Sequence, residues 1–161
     1  MKKILACLLC GLMLFAFSAC GETETPKQNE EVVKDVSVQA IQDKIVADLG
    51  LGSVNAMKTK ALTNGLGITE ESIKATASFY ADGEVFDEEI YLIEATDAAA
   101  ADDVEAKLNT RLESLRSQAA NYSAESKAIL DECDVLRKGN YVALFFSTKR
   151  AEMEKIFEDS F

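Results

Sequence analysis

A chain of 161 residues has room for one domain, and 48% hydrophobic with 28% charged residues is an ordinary globular composition, so neither a disordered chain nor a multispan membrane protein fits. The formal net charge of -11 repels phosphate backbones, so nucleic acid is not an expected partner. The chain has no histidine and no tryptophan; without imidazole, serine triads, cysteine-histidine dyads and histidine-bearing zinc sites are excluded, and an enzyme is not expected.

Lys2 and Lys3 form a short basic start, Ile4 to Phe17 is an uncharged and mostly apolar run, and Ser18 and Ala19 are small. That is the layout of an export signal, and the run falls short of the roughly 18 residues that a permanent membrane span needs. Phe17-Ser18-Ala19-Cys20 then resembles the bacterial lipobox: a large apolar residue, two small ones and an obligatory cysteine, with Phe in place of the usual Leu. The resemblance implies that residues 1-19 are a lipoprotein signal peptide and that Cys20 becomes the lipidated first residue, carrying two or three acyl chains of the diacylglycerol and palmitate kind. Each buried methylene contributes roughly 0.8 kcal/mol, and two chains suffice for stable attachment. Loss of Lys2 and Lys3 with the signal takes the net charge from -11 to -13.

Cys7 and Cys10 have C-x-x-C spacing but fall within the segment to be removed. Cys133 is then the one remaining thiol besides Cys20; with no imidazole to activate it, it is expected as a buried apolar side chain. Residues 20-35 are polar, contain the only proline and show no apolar period. They read as a flexible tether with a reach of roughly 20 Å, leaving 36-161 as a single domain.

Within that domain, Val38, Ile41, Ile45 and Leu49 recur at helical spacing, with Ser37 or Asp35 to cap the start and Gly50 to end the run. A second helix is expected over Ser53 to Asn64, with Val54, Met57, Ala61 and Leu62 inward and Gly65 as its stop. From Ile73 the period changes to two. An Asp82-Gly83 turn would place Ile73 opposite Leu92, Ala75 opposite Ile90 and Phe79 opposite Phe86 on one apolar face, with Glu88 as the misfit. A long helix from Asp97 to Asn121 follows, striped by Val104, Leu108, Leu112, Leu115, Ala119 and Tyr122, with Asp97, Asp102, Asp103 and Glu105 early and Arg111 and Arg116 later, as the helix dipole favours. Gly139-Asn140 makes a second hairpin that aligns Cys133, Val135, Val142, Leu144 and Phe146. A final helix over Lys149 to Asp159 presents Met153, Ile156 and Phe157. Together these imply an α+β domain in two layers: a four-stranded antiparallel sheet built from two β-hairpins, packed with a long central helix plus N- and C-terminal helices. The Tyr141 to Phe146 strand is apolar on both sides and belongs in the interior.

Five carboxylates, Asp82, Glu84, Asp87, Glu88 and Glu89, crowd the first hairpin. Against the helix-loop-helix calcium pattern, Asp82, Gly83 and Glu89 fit, but Ser78 and Tyr80 stand where the first acids are required, so a solvated hairpin is the simpler reading. Asp102-Asp103 and Glu70-Glu71 suit helix or turn starts. Gly65-Leu66-Gly67 lacks the lysine and serine of a phosphate loop. No catalytic, metal or cofactor residue is expected. Tyr91 and Tyr141, if they share a sheet face opposite the main core, would form an aromatic patch for a partner.

The strand Glu89-Ile90-Tyr91-Leu92-Ile93, the helix segments Lys107-Leu108 and Arg111-Leu112, and Lys138-Gly139-Asn140-Tyr141-Val142 entering an apolar strand, together with the lipobox, resemble a family of small lipoproteins with a domain of unknown function common in clostridia and related anaerobic Gram-positive bacteria. The resemblance spans most of residues 36 to 148 and brings no catalytic residues with it. The expected role is a membrane-anchored envelope lipoprotein held on the extracytoplasmic face, a non-enzymatic module binding an envelope protein or cell-wall component; the alternative is a small-solute-binding accessory lipoprotein of a transporter.

Overall fold

The period-two segments form strands and the period-3.6 segments form helices in a computed structural model, which describes residues 34-83 and 86-161, the side chains of 120-122 excepted. The expected signal peptide at 1-19, the expected lipidation site Cys20, the expected tether up to residue 33, and residues 84 and 85 of the first hairpin lie outside the described residues. In chain order the elements are α1 (Val38–Leu49), β1 (Val54–Ala56), α2 (Thr59–Leu66), a 3-10 turn (Glu70–Ser72), β2 (Ile73–Thr76), β3 (Phe79–Ala81), β4 (Glu88–Ala95), α3 (Ala98–Tyr122), α4 (Ala124–Asp131), β5 (Leu136–Lys138), β6 (Tyr141–Phe146) and α5 (Arg150–Glu158). The class is α+β. The antiparallel sheet has six strands rather than four, in the order β1-β3-β4-β6-β5, with β2 beside β3 along the same edge of β4.

Alternation along β4 and β6 dictates the layering. Tyr91 and Ile93 share one face with Val142, Leu144 and Phe146, while Ile90 and Leu92 share the other with Ala143 and Phe145. Both sets are apolar, so each face needs a cover, and each fully buried Leu, Ile or Phe adds about 1.5 to 3 kcal/mol when it gets one. Helices α2, α3 and α4 cover the first face; α1 and α5 cover the second. The domain therefore has three layers, not two. Strand β6 is buried throughout and lies between β4 and β5, where its two-sided apolar character belongs. Tyr91 and Tyr141 lie on opposite faces and are only 3% and 5% exposed, so they form no shared aromatic patch.

The helices follow their stripes. Val38, Ile41 and Ile45 of α1 are buried, and Gly50 ends the helix at φ 60°, a left-handed conformation that glycine adopts without a Cβ penalty. Asp97 caps α3, its carboxylate accepting from the Ala100 N–H at 2.8 Å, and Val104, Leu108, Leu112, Leu115 and Ala119 are buried along one side. Met153 and Phe157 of α5 are buried. The second helix is shorter and later than its spacing suggested: Val54–Ala56 is an edge strand, Ala61 is exposed, and the helix stops at Gly67, φ 72°, not at Gly65. Helix α4 was not foreseen; Ser123 caps it by accepting from the Ser126 N–H.

The Gly139-Asn140 hairpin has the expected register, with Leu136 opposite Ala143 and Lys138 opposite Tyr141. The first hairpin does not. Phe79 lies opposite Ile90 instead of Phe86, with β3 ending at Ala81 and β4 starting at Glu88. A slip of four residues keeps every side chain on its original face, so the alternating pattern fits both registers equally well. Gly83 serves close approach rather than a two-residue turn, since a Cβ there would come within 2.3 Å of the Phe86 carbonyl oxygen. A bulge between Ile73 and Ala75 turns Ile73 toward the α3 face, while Ala75 stays with the α1 face. Phe86, outside the strands, stacks on Phe146 with ring centres 4.0 Å apart.

Candidate functional site

Where α2 and α3 approach the edge of the sheet formed by β3 and β4, they leave an open cleft of about 150 Å³. Met57, Leu62 and Leu66 supply its apolar wall, with Ala61 and Gly65 on the α2 side. Strand alternation supplies the rest. Phe79 and Ala81 point into the α1 core, so Tyr80 between them points to the cleft side, where it pairs across the strands with Glu89 and stays 39% exposed. Two residues along β4, Tyr91 reaches the same side, and Arg111 descends from α3.

Polar groups at the base of the cleft form a closed set. Glu89 accepts from the Tyr91 hydroxyl at 2.7 Å and from Arg111 through Nε at 3.0 Å, with Nη2 completing a two-point fork. Burial, together with the negative charge of Glu89, pushes the Tyr91 phenol well above its ordinary range and keeps it a donor. Burial would lower the Arg111 guanidinium, but the hydrogen bonds and charge of Glu89 outweigh it and hold the cation more firmly. With three donors on its oxygens, Glu89 has little capacity left to take a proton from a substrate. The arrangement suits holding a ligand rather than transforming one.

Among the described residues the acidic side chains of the first hairpin do not converge. Glu88 and Glu89, adjacent on β4, point to opposite faces. Glu88 is 3% exposed and accepts from the Thr148 N–H at 3.0 Å and its hydroxyl at 2.9 Å, tying the start of β4 to the segment entering α5. Among the described residues no group of three or more Asp, Glu or Cys stands close enough to hold a metal ion. Asp102 pairs with Arg137 instead of serving the helix start. Cys133 is fully buried, its Sγ 3.3 Å from the carbonyl oxygens of Ile129 and Phe145.

Burial pushes the Cys133 thiol from 9.0 up to about 11. The folded thiol keeps its proton where the unfolded one has lost it, so its contribution to stability is full below pH 9 and is lost as pH rises through 11. Urea midpoints across that range are expected to fall more steeply for the native chain than for Cys133→Ala. Parallel slopes would show that the thiol does not titrate with folding.

The start of the described chain is fixed at the far end of the sheet. Tyr141 donates to Asp35 at 3.1 Å and accepts from the Val36 N–H at 3.0 Å, and Tyr141 lies opposite Glu94 in the sheet. Glu89, at the base of the cleft, is five residues from Glu94 along β4, about 17 Å of strand. The cleft and the entry of the chain thus occupy opposite ends and opposite faces of the sheet.

The fold and site define a small three-layer α+β domain with a shallow, mixed-polarity cleft between α2 and α3. The chain belongs to the family described as domain of unknown function DUF4358, whose model matches residues 46–147. No curated protein and no solved structure gives a match. No described helix is long and apolar enough to cross a membrane.

Met57, Tyr80 and Arg111 are not among the residues expected from the sequence to form a site. Tyr80 carried a signal, because it is the aromatic residue that breaks the inward alternation of Phe79 and Ala81. Arg111 carried none beyond its place after the acidic start of α3.

Proposed function

We propose that this protein is an envelope lipoprotein, anchored through acyl chains on Cys20 to the extracytoplasmic face of the cell membrane, whose domain is a non-enzymatic binding module. One observation carries this reading: Lys2-Lys3, an uncharged apolar run, two small residues and Cys20 occur in the order that export and lipidation require. The resemblance to lipoproteins of clostridia and related Gram-positive anaerobes favours an anchor in the outer leaflet of the cytoplasmic membrane. The fold is compatible with display: the chain enters the domain at Asp35, at the end of the sheet opposite the cleft, which leaves the cleft clear of the tether. The partner is an envelope protein or a cell-wall component. A second reading, a small-solute-binding accessory lipoprotein of a transporter, rests on the same open cleft, whose size limits the solute to a single residue-sized molecule.

Expression of the native chain and of Cys20→Ala in a Gram-positive host separates anchoring from mere export. The native chain is expected in the membrane fraction, open to protease added outside protoplasts, and the variant is expected to lose that stable attachment. Cross-linking on intact cells is expected to recover a specific neighbour of the native chain. Equal membrane retention of both chains would contradict the anchor, and the lack of any specific neighbour would contradict the binding role.

A further inference from the structure

We propose that the cleft between α2 and α3 binds an apolar amino-acid residue through its carboxylate, with the side chain between Leu66 and Tyr80 and the carboxylate on Arg111. The proposal deepens the binding-module reading and does not depend on the lipid anchor. Size sets the first limit: an open cleft of about 150 Å³ admits one residue-sized group and no more.

The polar requirement comes from Arg111. A guanidinium has five N–H donors in a plane, and Glu89 engages only Nε and Nη2. Tyr91 also interacts with the guanidinium, which is 27% exposed and lines the cleft with the edge that lies beyond the Glu89 fork. Glu89 therefore acts as a positioning residue, fixing the plane of the fork and leaving its other edge for a second acceptor. Lys107, one turn earlier on the same face of α3, adds positive charge beside the end of α2: its Nζ lies 3.9 Å from where a Cβ on Gly67 would stand. With Glu89 offsetting Arg111, Lys107 leaves one net positive charge beside the cleft, which favours an acid over a neutral amide. The net charge of -11 around it disfavours ligands carrying several negative charges. Tyr80, exposed at the rim, offers a rigid ring to cover the apolar body at small entropic cost.

The same chemistry has two sources, a free amino acid and the C-terminal residue of a peptide. Calorimetry on the full chain in mild non-ionic detergent, with leucine, N-acetylleucine, N-acetylleucinamide and the tripeptide Ala-Ala-Leu as probes, distinguishes them. Either acid source is expected to bind at least about tenfold more tightly than the amide, the loss of one charge-assisted hydrogen bond. Binding of free leucine assigns the solute source, and binding restricted to the tripeptide and N-acetylleucine assigns the peptide terminus. Arg111→Lys is expected to narrow the gap between acid and amide. Ala61→Trp, which fills the mouth from an exposed position, is expected to abolish binding with the melting temperature unchanged. No heat with any probe, equal affinity for acid and amide, or binding untouched by Ala61→Trp would overturn the assignment; the fate of Cys20, read separately by fractionation, would stand apart from that result.

Discussion

Phe145→Ala is expected to lower the folding stability by about 3 to 5 kcal/mol, a large share of the roughly 5 to 15 kcal/mol that holds a domain of this size. Phe145 is 1% exposed on β6 and meets Phe157 of α5 edge-on, with ring centres 6.1 Å apart. Its removal opens a cavity bounded by the sheet on one side and α5 on the other, and neither can collapse without breaking the β4–β6 ladder or the α1–α5 contact. Leu108→Ala on α3 makes the corresponding loss on the opposite face, about 2 to 5 kcal/mol. The sheet separates the two sites, so their costs are expected to add within about 0.5 kcal/mol in a double mutant. Urea denaturation of the four chains measures this directly; a coupling well above that figure would mean that the two cores are not independent layers.

Glu89→Ala is expected to cost about 2 to 4 kcal/mol, somewhat less than breaking a fully buried ion pair because the Arg111 side chain is 27% exposed. The substitution strands a half-buried guanidinium and the Tyr91 hydroxyl together, both of which point at the lost carboxylate. Replacing both charged partners, Glu89→Leu with Arg111→Met, is expected to recover much of the loss, because the wall around them is already apolar. If Glu89→Ala proved as mild as a surface substitution, below about 0.5 kcal/mol, the base of the cleft would not be the fixed network described above.

Parts of the fold that depend on one face or one turn were legible in the sequence. The stripe on α3 and the cap at Asp97 gave that helix almost to the residue, because the apolar spacing and the capping side chain act locally. Gly139 fixed the second hairpin because φ 55° is a conformation glycine adopts freely, and a two-residue turn leaves a single register. The first hairpin escaped for the opposite reason: Asp82-Gly83 looked like such a turn, and alternation cannot distinguish registers that differ by an even number. The third layer was hidden in the same pattern, since β4 is apolar on both faces except for Glu88, Glu89 and Glu94, whose partners lie on distant segments.

The cleft was not legible because it is assembled from four separate stretches of chain. Under the expected register Tyr80 would lie across from Val85; in the structure it faces Glu89, and only that shift brings Tyr80, Tyr91 and Arg111 to one opening. Edge strand β1 and helix α4 were missed because each is short and buries few apolar side chains, so packing rather than local period decides them. Cys133, by contrast, was placed correctly in the core by its alternation with Val135 across from Leu144 and Phe146.

The intact mass of the chain purified from membranes tests the central claim most directly. A species lacking residues 1 to 19 and carrying the added mass of fatty acyl groups, which fragmentation assigns to Cys20, is the predicted result. A chain that retains Met1 to Ala19, or one that begins at residue 20 with an unmodified thiol, would contradict it.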